Sequence, residues 1–226
     1  MAMGKSMNTR FRDRTEAGQK LALQLQAYAN RADVLVLALP RGGVPVAYEI
    51  ARTLNLTLDL CLVRKLGDPD NKEHAIGAIA ANDARVINHD VVRWLGITKQ
   101  QLEEITAQEQ QELQRREQVY RGNRPRVNVY DRIVVLVDDG LATGATMRAA
   151  VMGVRSQYPR QLIIAVPIAS QNAYQQLKKQ VDRLVCLCIP NRLFAIGLWY
   201  DNFEQVTDEQ VCTLLDRLTV AHNLPG

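Results

Sequence analysis

Short apolar runs alternate with amphipathic stretches along most of this chain. Val34 to Leu39 is a continuous apolar run, as expected of a strand buried on both faces of a parallel sheet. Pro40-Arg41-Gly42-Gly43 interrupts it, and Val44 to Leu54 resumes at helical spacing, with Pro45 tolerated in the first turn. Leu58 to Val63 reads as a second strand, and Ala17, Leu21, Leu25 and Tyr28 predict an opening helix over Phe11 to Ala29. In the second half, Ile133 to Val137, Leu162 to Ile168 and Leu184 to Ile189 predict strands. Gly144 to Gln157, Ser170 to Gln180 and Asp208 to Val220 predict helices. Regular alternation of this kind predicts an α/β fold, a doubly wound, mostly parallel sheet flanked by helices. Ligands of such sheets bind beyond the carboxyl ends of the strands, which is where chemistry is to be sought.

The middle of the chain departs from this rhythm. Arg64 to His74 is polar, contains Gly67 and Pro69, and predicts a long lid-like loop. Ile76 to Ala80 and Arg85 to Asn88 read as short strands joined in a hairpin at Asn82-Asp83. Thr98 to Tyr120 predicts a long helix rich in Gln and Glu, with a solvated or subunit-contacting face away from any chemistry. The organisation expected is one domain over 1–226, with a lid loop and hairpin at 64–88, an inserted helix at 98–122 and a small hood at 190–204.

Composition narrows the function classes. A length of 226 residues suffices for one buried core, and a formal charge of +4 suits an anionic small molecule. That charge is too diffuse for a nucleic-acid surface. Cys61, Cys186, Cys188 and Cys212 form no C-x-x-C pair, which argues against a zinc cluster or redox motif. Cys186 and Cys188 fall on one face of a strand and read as small hydrophobes in a reducing compartment. No apolar stretch is long enough for a membrane span, and Met1 to Asn8 lacks an apolar signal core. A cytoplasmic protein without a membrane partner is expected.

The richest chemistry lies in Ile133-Val-Val-Leu-Val-Asp138-Asp139-Gly140-Leu141-Ala142-Thr143-Gly144-Ala145-Thr146. An apolar strand ends in two carboxylates, and a Thr-Gly-Ala-Thr turn then opens a helix. Helix N-termini present free N–H groups and partial positive charge, so they hold phosphate well. Gly144 lets backbone approach an anion, while Thr143 and Thr146 add hydroxyl donors. Asp138 and Asp139 stand where vicinal sugar hydroxyls can donate to them. Taken singly, each feature suits an ordinary strand end and a capped helix; in this order they describe a grip for ribose 5-phosphate. The Gly-Lys-Ser/Thr of a P-loop and the G-x-G-x-x-G dinucleotide fingerprint are both missing.

This segment resembles the signature for phosphoribosyl diphosphate (PRPP) of the type I phosphoribosyltransferases. The resemblance implies that Asp138 and Asp139 bind the ribose hydroxyls and that Ala142 to Thr146 wraps the 5-phosphate, with Gly140 and Leu141 also among the PRPP-binding residues. Its wording is most similar to adenine phosphoribosyltransferases, which implies purine salvage. The 6-oxopurine enzymes usually carry an Asp, credited as general base, where this chain has Ala142. By the same resemblance, Arg41, Gly42 and Gly43 form the diphosphate loop, and Arg64-Lys65 opens a mobile lid in which Lys65 meets the departing diphosphate. Glu73 and His74 are the lid's candidate acid–base groups, and Glu73 joins Arg41 and Lys65 as the catalytic choices.

Asn191 to Asp201 is similar to the hood of 6-oxopurine enzymes, in which a Phe stacks on the base and an Asp seven positions on meets the metal. That implies stacking by Phe194, with Trp199 beside it, and a Mg²⁺ ligand in Asp201. Phe194 and Trp199 equally suit a core or an interface. Over its length, from Arg10-Phe-Arg-Asp-Arg through Pro-Arg-Gly-Gly, Val-Arg-Lys-Leu-Gly, Ala-Ile-Gly-Ala-Ile and Gly-Leu-Trp-Tyr, the chain resembles bacterial phosphoribosyltransferase-domain proteins without an agreed acceptor. The expected activity is transfer of ribose 5-phosphate from Mg²⁺·PRPP to a nitrogen of a nucleobase-like acceptor, by a homodimer, without nucleic acid. The alternative is a non-catalytic PRPP- or nucleotide-binding regulatory protein on the same fold.

Overall fold

The computed structural model of the chain describes residues 10–68, 75–80, 85–122 and 124–222. Its centre is a parallel sheet of β1 (Val34–Ala38), β2 (Thr57–Leu60), β6 (Ile133–Val137), β7 (Gln161–Ile168) and β8 (Arg183–Cys188), ordered β2-β1-β6-β7-β8. β1 and β6 are apolar and fully buried because helices cover both faces. Val34, Val36, Ala38, Ile133, Val135 and Val137 face a core shared with α1 (Arg14–Gln24), α2 (Gly43–Leu54) and α7 (Asp208–His222). Leu35, Leu37, Val134 and Leu136 face the other way, onto α5 (Ala145–Arg155) and α6 (Gln171–Lys178). The doubly wound α/β architecture expected from the alternation is thus the one observed.

The winding direction reverses between β1 and β6. The chain leaves β1 through α2 toward β2, and leaves β6 through α5 toward β7, on the opposite side. Loops diverging from neighbouring strands open a crevice at their carboxyl ends. Register fixes how near these ends are: Ala38 pairs with Val137, so the segments beginning at Leu39 and Asp138 start side by side.

The middle of the chain differs from expectation. Val63–Gly67 is a strand, β3, and not the start of the loop. It pairs antiparallel with β4 (Ala75–Ala80), which pairs with β5 (Arg85–Ile87), making a three-stranded sheet in place of a lone hairpin. Arg64 and Lys65 hid this strand because charged side chains occupy its half-buried positions, while Leu66 is fully buried. The strand expected over Leu58 to Val63 accordingly divides: β2 stops at Leu60, and Val63 belongs to the second sheet. The rest of the expected lid, including Glu73 and His74, and the Asn82-Asp83 turn lie outside the described residues.

A short helix, α3 (His89–Trp94), also escaped the sequence reading, although Asn88 caps it by accepting from the Val91 N–H. The long helix is α4 (Lys99–Arg121), opened by a Thr98–Gln101 capping box and closed at Gly122, whose φ is +52°. It buries Leu102, Leu113 and Tyr120. Opposite its exposed face, α4 walls a cleft of about 610 Å³ together with β3, Pro40 and Thr146.

Candidate functional site

The site is built where β1 and β6 end. Leu39 N–H donates to the Val137 carbonyl at 2.9 Å, and this stitch lays the Pro40-Arg41-Gly42-Gly43 turn against the diacid. The Pro40–Arg41 peptide is cis. Gly42 is pressed so closely on Asp139 that a Cβ there would lie 2.0 Å from Oδ2. The structure therefore brings together Arg41, Gly42, Gly43, Asp138 and Asp139, five of the residues singled out in the sequence.

Beyond the acids, Leu141 forms a bridge to Ala169, its N–H donating to the Ile168 carbonyl at 2.9 Å. Ser170 Oγ donates to the Ala142 carbonyl at 2.6 Å, which pins the turn to the end of β7. Gly144 then takes a φ of +73°, the left-handed conformation glycine adopts at little cost, and reverses the chain into α5. Among the described residues, no side chain caps α5 at Gly144. Thr143 and Thr146 are exposed at this end, and Thr143 Oγ1 accepts from the Ala145 N–H at 3.3 Å. A helix N-terminus whose N-cap is a bare glycine, flanked by two exposed hydroxyls, is suited to a phosphate group.

A hood closes over the acids. The Phe11 N–H donates to the Trp199 carbonyl and the Asp201 N–H to the Phe11 carbonyl, each at 2.8 Å, so the start of the chain is tied to the segment after β8. Tyr200 Oη donates to the Asp139 carbonyl at 2.6 Å, and Ile196 sits directly over Gly140. Arg14, first residue of α1, reaches down to Asp139: its Nε lies 2.9 Å and one terminal nitrogen 2.8 Å from Oδ2. The Arg14 guanidinium also stacks 3.8 Å above the Phe203 ring.

Burial and the neighbouring Asp139 charge push the Asp138 carboxyl well above the usual carboxylate range. Asp139 is raised by burial too, but Arg14 opposes the rise. Asp138 Oδ1 accepts from the Asp139 N–H at 2.9 Å. Two adjacent carboxylates, partly withdrawn from water and steadied by one arginine, form a strong acceptor for hydroxyl groups.

The remaining candidates lie on the turn after β1, on β3 and on the segment after β8. Arg41 Nη1 lies 3.6 Å from Asp208 Oδ1, which accepts from Tyr120 Oη at 2.7 Å, linking the turn after β1 to α7 and α4. Lys65 is half-buried on β3 and lines the 610 Å³ cleft with Arg64, Arg116, Pro40 and Thr146. Phe194 is 82% exposed on the hood, whereas Trp199 is partly buried against Phe11, Ala17 and Tyr200. Asp201 is exposed, 3.4 Å from Arg10. Sequence reasoning missed Arg14, Tyr200 and Phe203 as parts of the site. The segments holding Arg14 and Tyr200 stood out in it, as Arg-Phe-Arg-Asp-Arg and Gly-Leu-Trp-Tyr, but no spacing rule connects them to Asp139.

Comparison with known proteins agrees with this architecture. Residues 11–202 match the family model described as the phosphoribosyl transferase domain. The Mycobacterium tuberculosis protein Rv0571c, provisionally named a phosphoribosyl transferase, is 42% identical over 207 residues, which cover 92% of this chain and 46% of that protein. The chain thus spans about half the length of the curated relatives it matches. The crystal structure of TT1426 from Thermus thermophilus superposes with a TM-score of 0.86 at 42% identity, covering 92% of this chain and 99% of that one. The AQ2163 protein of Aquifex aeolicus shares the fold at a TM-score of 0.51 and 12% identity, covering 81% of this chain and 76% of its own.

Proposed function

The chain belongs to the phosphoribosyl transferase domain family, and we propose that its site binds Mg²⁺·PRPP and transfers ribose 5-phosphate to a nitrogen of a nucleobase-like acceptor. One juxtaposition carries the reading: paired acids held against a Gly-Gly turn on one side, with a glycine-opened helix N-terminus following on the other. The amides and hydroxyls from Thr143 to Thr146 hold the 5-phosphate. Asp138 and Asp139 accept from the ribose hydroxyls, and Arg41, the Gly42-Gly43 backbone and Lys65 take the diphosphate.

A magnesium ion would find one hard carboxylate here, the exposed Asp201 that lies 3.4 Å from Arg10, and would take its remaining oxygens from the ligand's phosphates and water. Asp201 is the residue that would hold it, and the ion would supply charge neutralisation on the leaving diphosphate. In the transfer, the bond from C1 of the ribose to diphosphate oxygen breaks, and its electron pair departs with the diphosphate. The acceptor nitrogen's lone pair forms the new bond to C1 from the opposite face, and that nitrogen's proton passes to water or to Glu73. Arg41 and Lys65 act on charge that grows as the bond breaks; a single such donor is worth about 3 kcal/mol. Phe194, the exposed ring of the hood, stacks on the flat acceptor.

Ala142 favours a second reading, a regulatory PRPP- or nucleotide-binding protein, because its methyl group can take no proton from an acceptor. Calorimetry with Mg²⁺·PRPP, followed by a diphosphate-release assay over a panel of heterocycles, separates the two. The enzyme reading expects binding and release with at least one base, and binding without release across the panel favours the regulator. A folded Asp138→Ala/Asp139→Ala variant that still binds PRPP normally would sink both.

A further inference from the structure

Asp139 is held by a residue that lies outside the diacid signature, the diphosphate loop and the hood. We propose that Arg14 is a positioning residue for the diacid, docking on Asp139 and making capture of the sugar depend on the strap formed by the start of the chain. The proposal rests on the reading of the site as a PRPP pocket. Arg14 places Nε and one terminal nitrogen on the same oxygen, Oδ2 of Asp139, at 2.9 and 2.8 Å. Its remaining terminal nitrogen donates to the Glu204 carbonyl at 2.8 Å, and its plane lies on Phe203. The two charged side chains are only 11% and 15% exposed, so the pair is desolvated and its geometry is fixed on every side.

The local structure explains how the arginine is aimed. Asp13 caps α1 by accepting from the Glu16 N–H at 2.8 Å, which fixes the direction in which Arg14 leaves the helix. Phe11 and Tyr200, paired across the strap, place Phe203 beneath the guanidinium, the Tyr200 and Phe203 rings lying 4.9 Å apart. Because both contacts fall on Oδ2, Asp139 cannot swing without breaking two charge-assisted bonds at once. A loose carboxylate beside Gly42 would sample orientations that no ribose hydroxyl can use.

Charge works in the same direction as geometry. Asp139 faces Asp138 along the chain, Tyr200 from the hood through its own carbonyl, Arg14 from α1, and the turn of Arg41, itself paired with Asp208. Arg14 is the cation in direct contact, and it opposes the rise that burial imposes on the Asp139 carboxyl. Without it, two buried neighbouring carboxylates would repel each other and one would take up a proton more readily.

Arg14→Gln and Arg14→Lys test this in two ways. Carbon NMR titration of the aspartate carboxyls in the ligand-free protein, with Asp139 assigned through Asp139→Asn, should show the Asp139 midpoint rising in Arg14→Gln. It should stay nearer wild type in Arg14→Lys. Calorimetry with Mg²⁺·PRPP across acid to neutral pH should show dissociation constants raised roughly tenfold or more in Arg14→Gln, with the acid limb moved to higher pH. Arg14→Lys keeps charge without the planar fork, so it should recover the pH profile more fully than the affinity. An unmoved Asp139 midpoint in a folded variant, or wild-type affinity and pH profile in Arg14→Gln, would overturn the proposal. Should Arg14→Gln fail to fold, Arg14→Lys with normal affinity would overturn it too. Failure of the wild-type protein to bind PRPP would instead overturn the pocket reading, and the NMR titration would still judge Arg14.

Discussion

Gly42 and Asp139 leave no space between them: a methyl group built on Gly42 would stand 2.0 Å from the carboxylate oxygen that Arg14 holds. The Gly42 backbone has φ −60° and ψ −32°, which any residue adopts, so alanine there meets no conformational penalty of its own. The effect of Gly42→Ala is therefore purely steric at the diacid. We expect a folded protein whose Mg²⁺·PRPP dissociation constant rises by about tenfold or more, as measured by calorimetry. Unchanged affinity would mean that Asp139 does not bind the sugar.

Asp138 predicts opposite effects on stability and binding. Its carboxyl lies well above its ordinary value in the folded protein because it is buried beside another acid. Such a group binds more protons folded than unfolded, so its contribution to stability is greatest in acid and falls as pH rises through the folded value. Asp138→Asn, which keeps an oxygen for the Asp139 N–H, should raise the melting temperature at neutral pH and flatten its dependence on pH. The same variant should lose PRPP binding. A lower neutral melting temperature would contradict the assigned burial cost.

Asp208 competes for the cation of the turn after β1. It lies 3.6 Å from Arg41 while accepting from Tyr120, so on the proposed function a diphosphate draws Arg41 from a carboxylate. Asp208→Asn should tighten binding of Mg²⁺·diphosphate by a few-fold at low salt, an effect that fades as ions screen the pair. Weaker binding in the variant would show that Asp208 helps to present Arg41.

The cysteines offer a chemical check on the core. Burial pushes the thiols of Cys61 and Cys186 up to about 12. Since the thiolate is the reactive form, both should resist alkylation at mildly alkaline pH and react only after denaturation. Peptide mapping by mass spectrometry reads this directly, and rapid native labelling of Cys61 would contradict its packing at the end of β2.

Much of this molecule was legible in its sequence. The acids, the Thr-Gly turn and the opening of α5 are contiguous, and the apolar run of β6 announces them, so one stretch of sequence held the proposed diol grip and the proposed phosphate turn together. The contact of Gly42 with Asp139 was not written there, because it depends on β1 and β6 being neighbours in the sheet, a fact of topology. The role of Arg14 was hidden for the same reason, its partner lying 125 positions away. Charged residues on β3 imitated a loop because Arg64 and Lys65 are half-buried there, Arg64 being paired with Glu109 of α4. α4 looked solvated because its few inward side chains are spread over a long, highly charged surface. Trp199 read equally as a stacking or a core residue, and it packs against Phe11 and Tyr200.

The hydrogen-bonded strap between Phe11 and Tyr200 has a consequence for synthesis. A nascent chain that has emerged from the ribosome only through β7 already carries both carboxylates, the two glycines and the threonine turn, yet has nothing to shut over them. The segment around Phe11 must wait for the one after β8 before either finds its place. The sheet can thus assemble progressively as translation proceeds, whereas the pocket is completed only once the segment beyond β8 has been made.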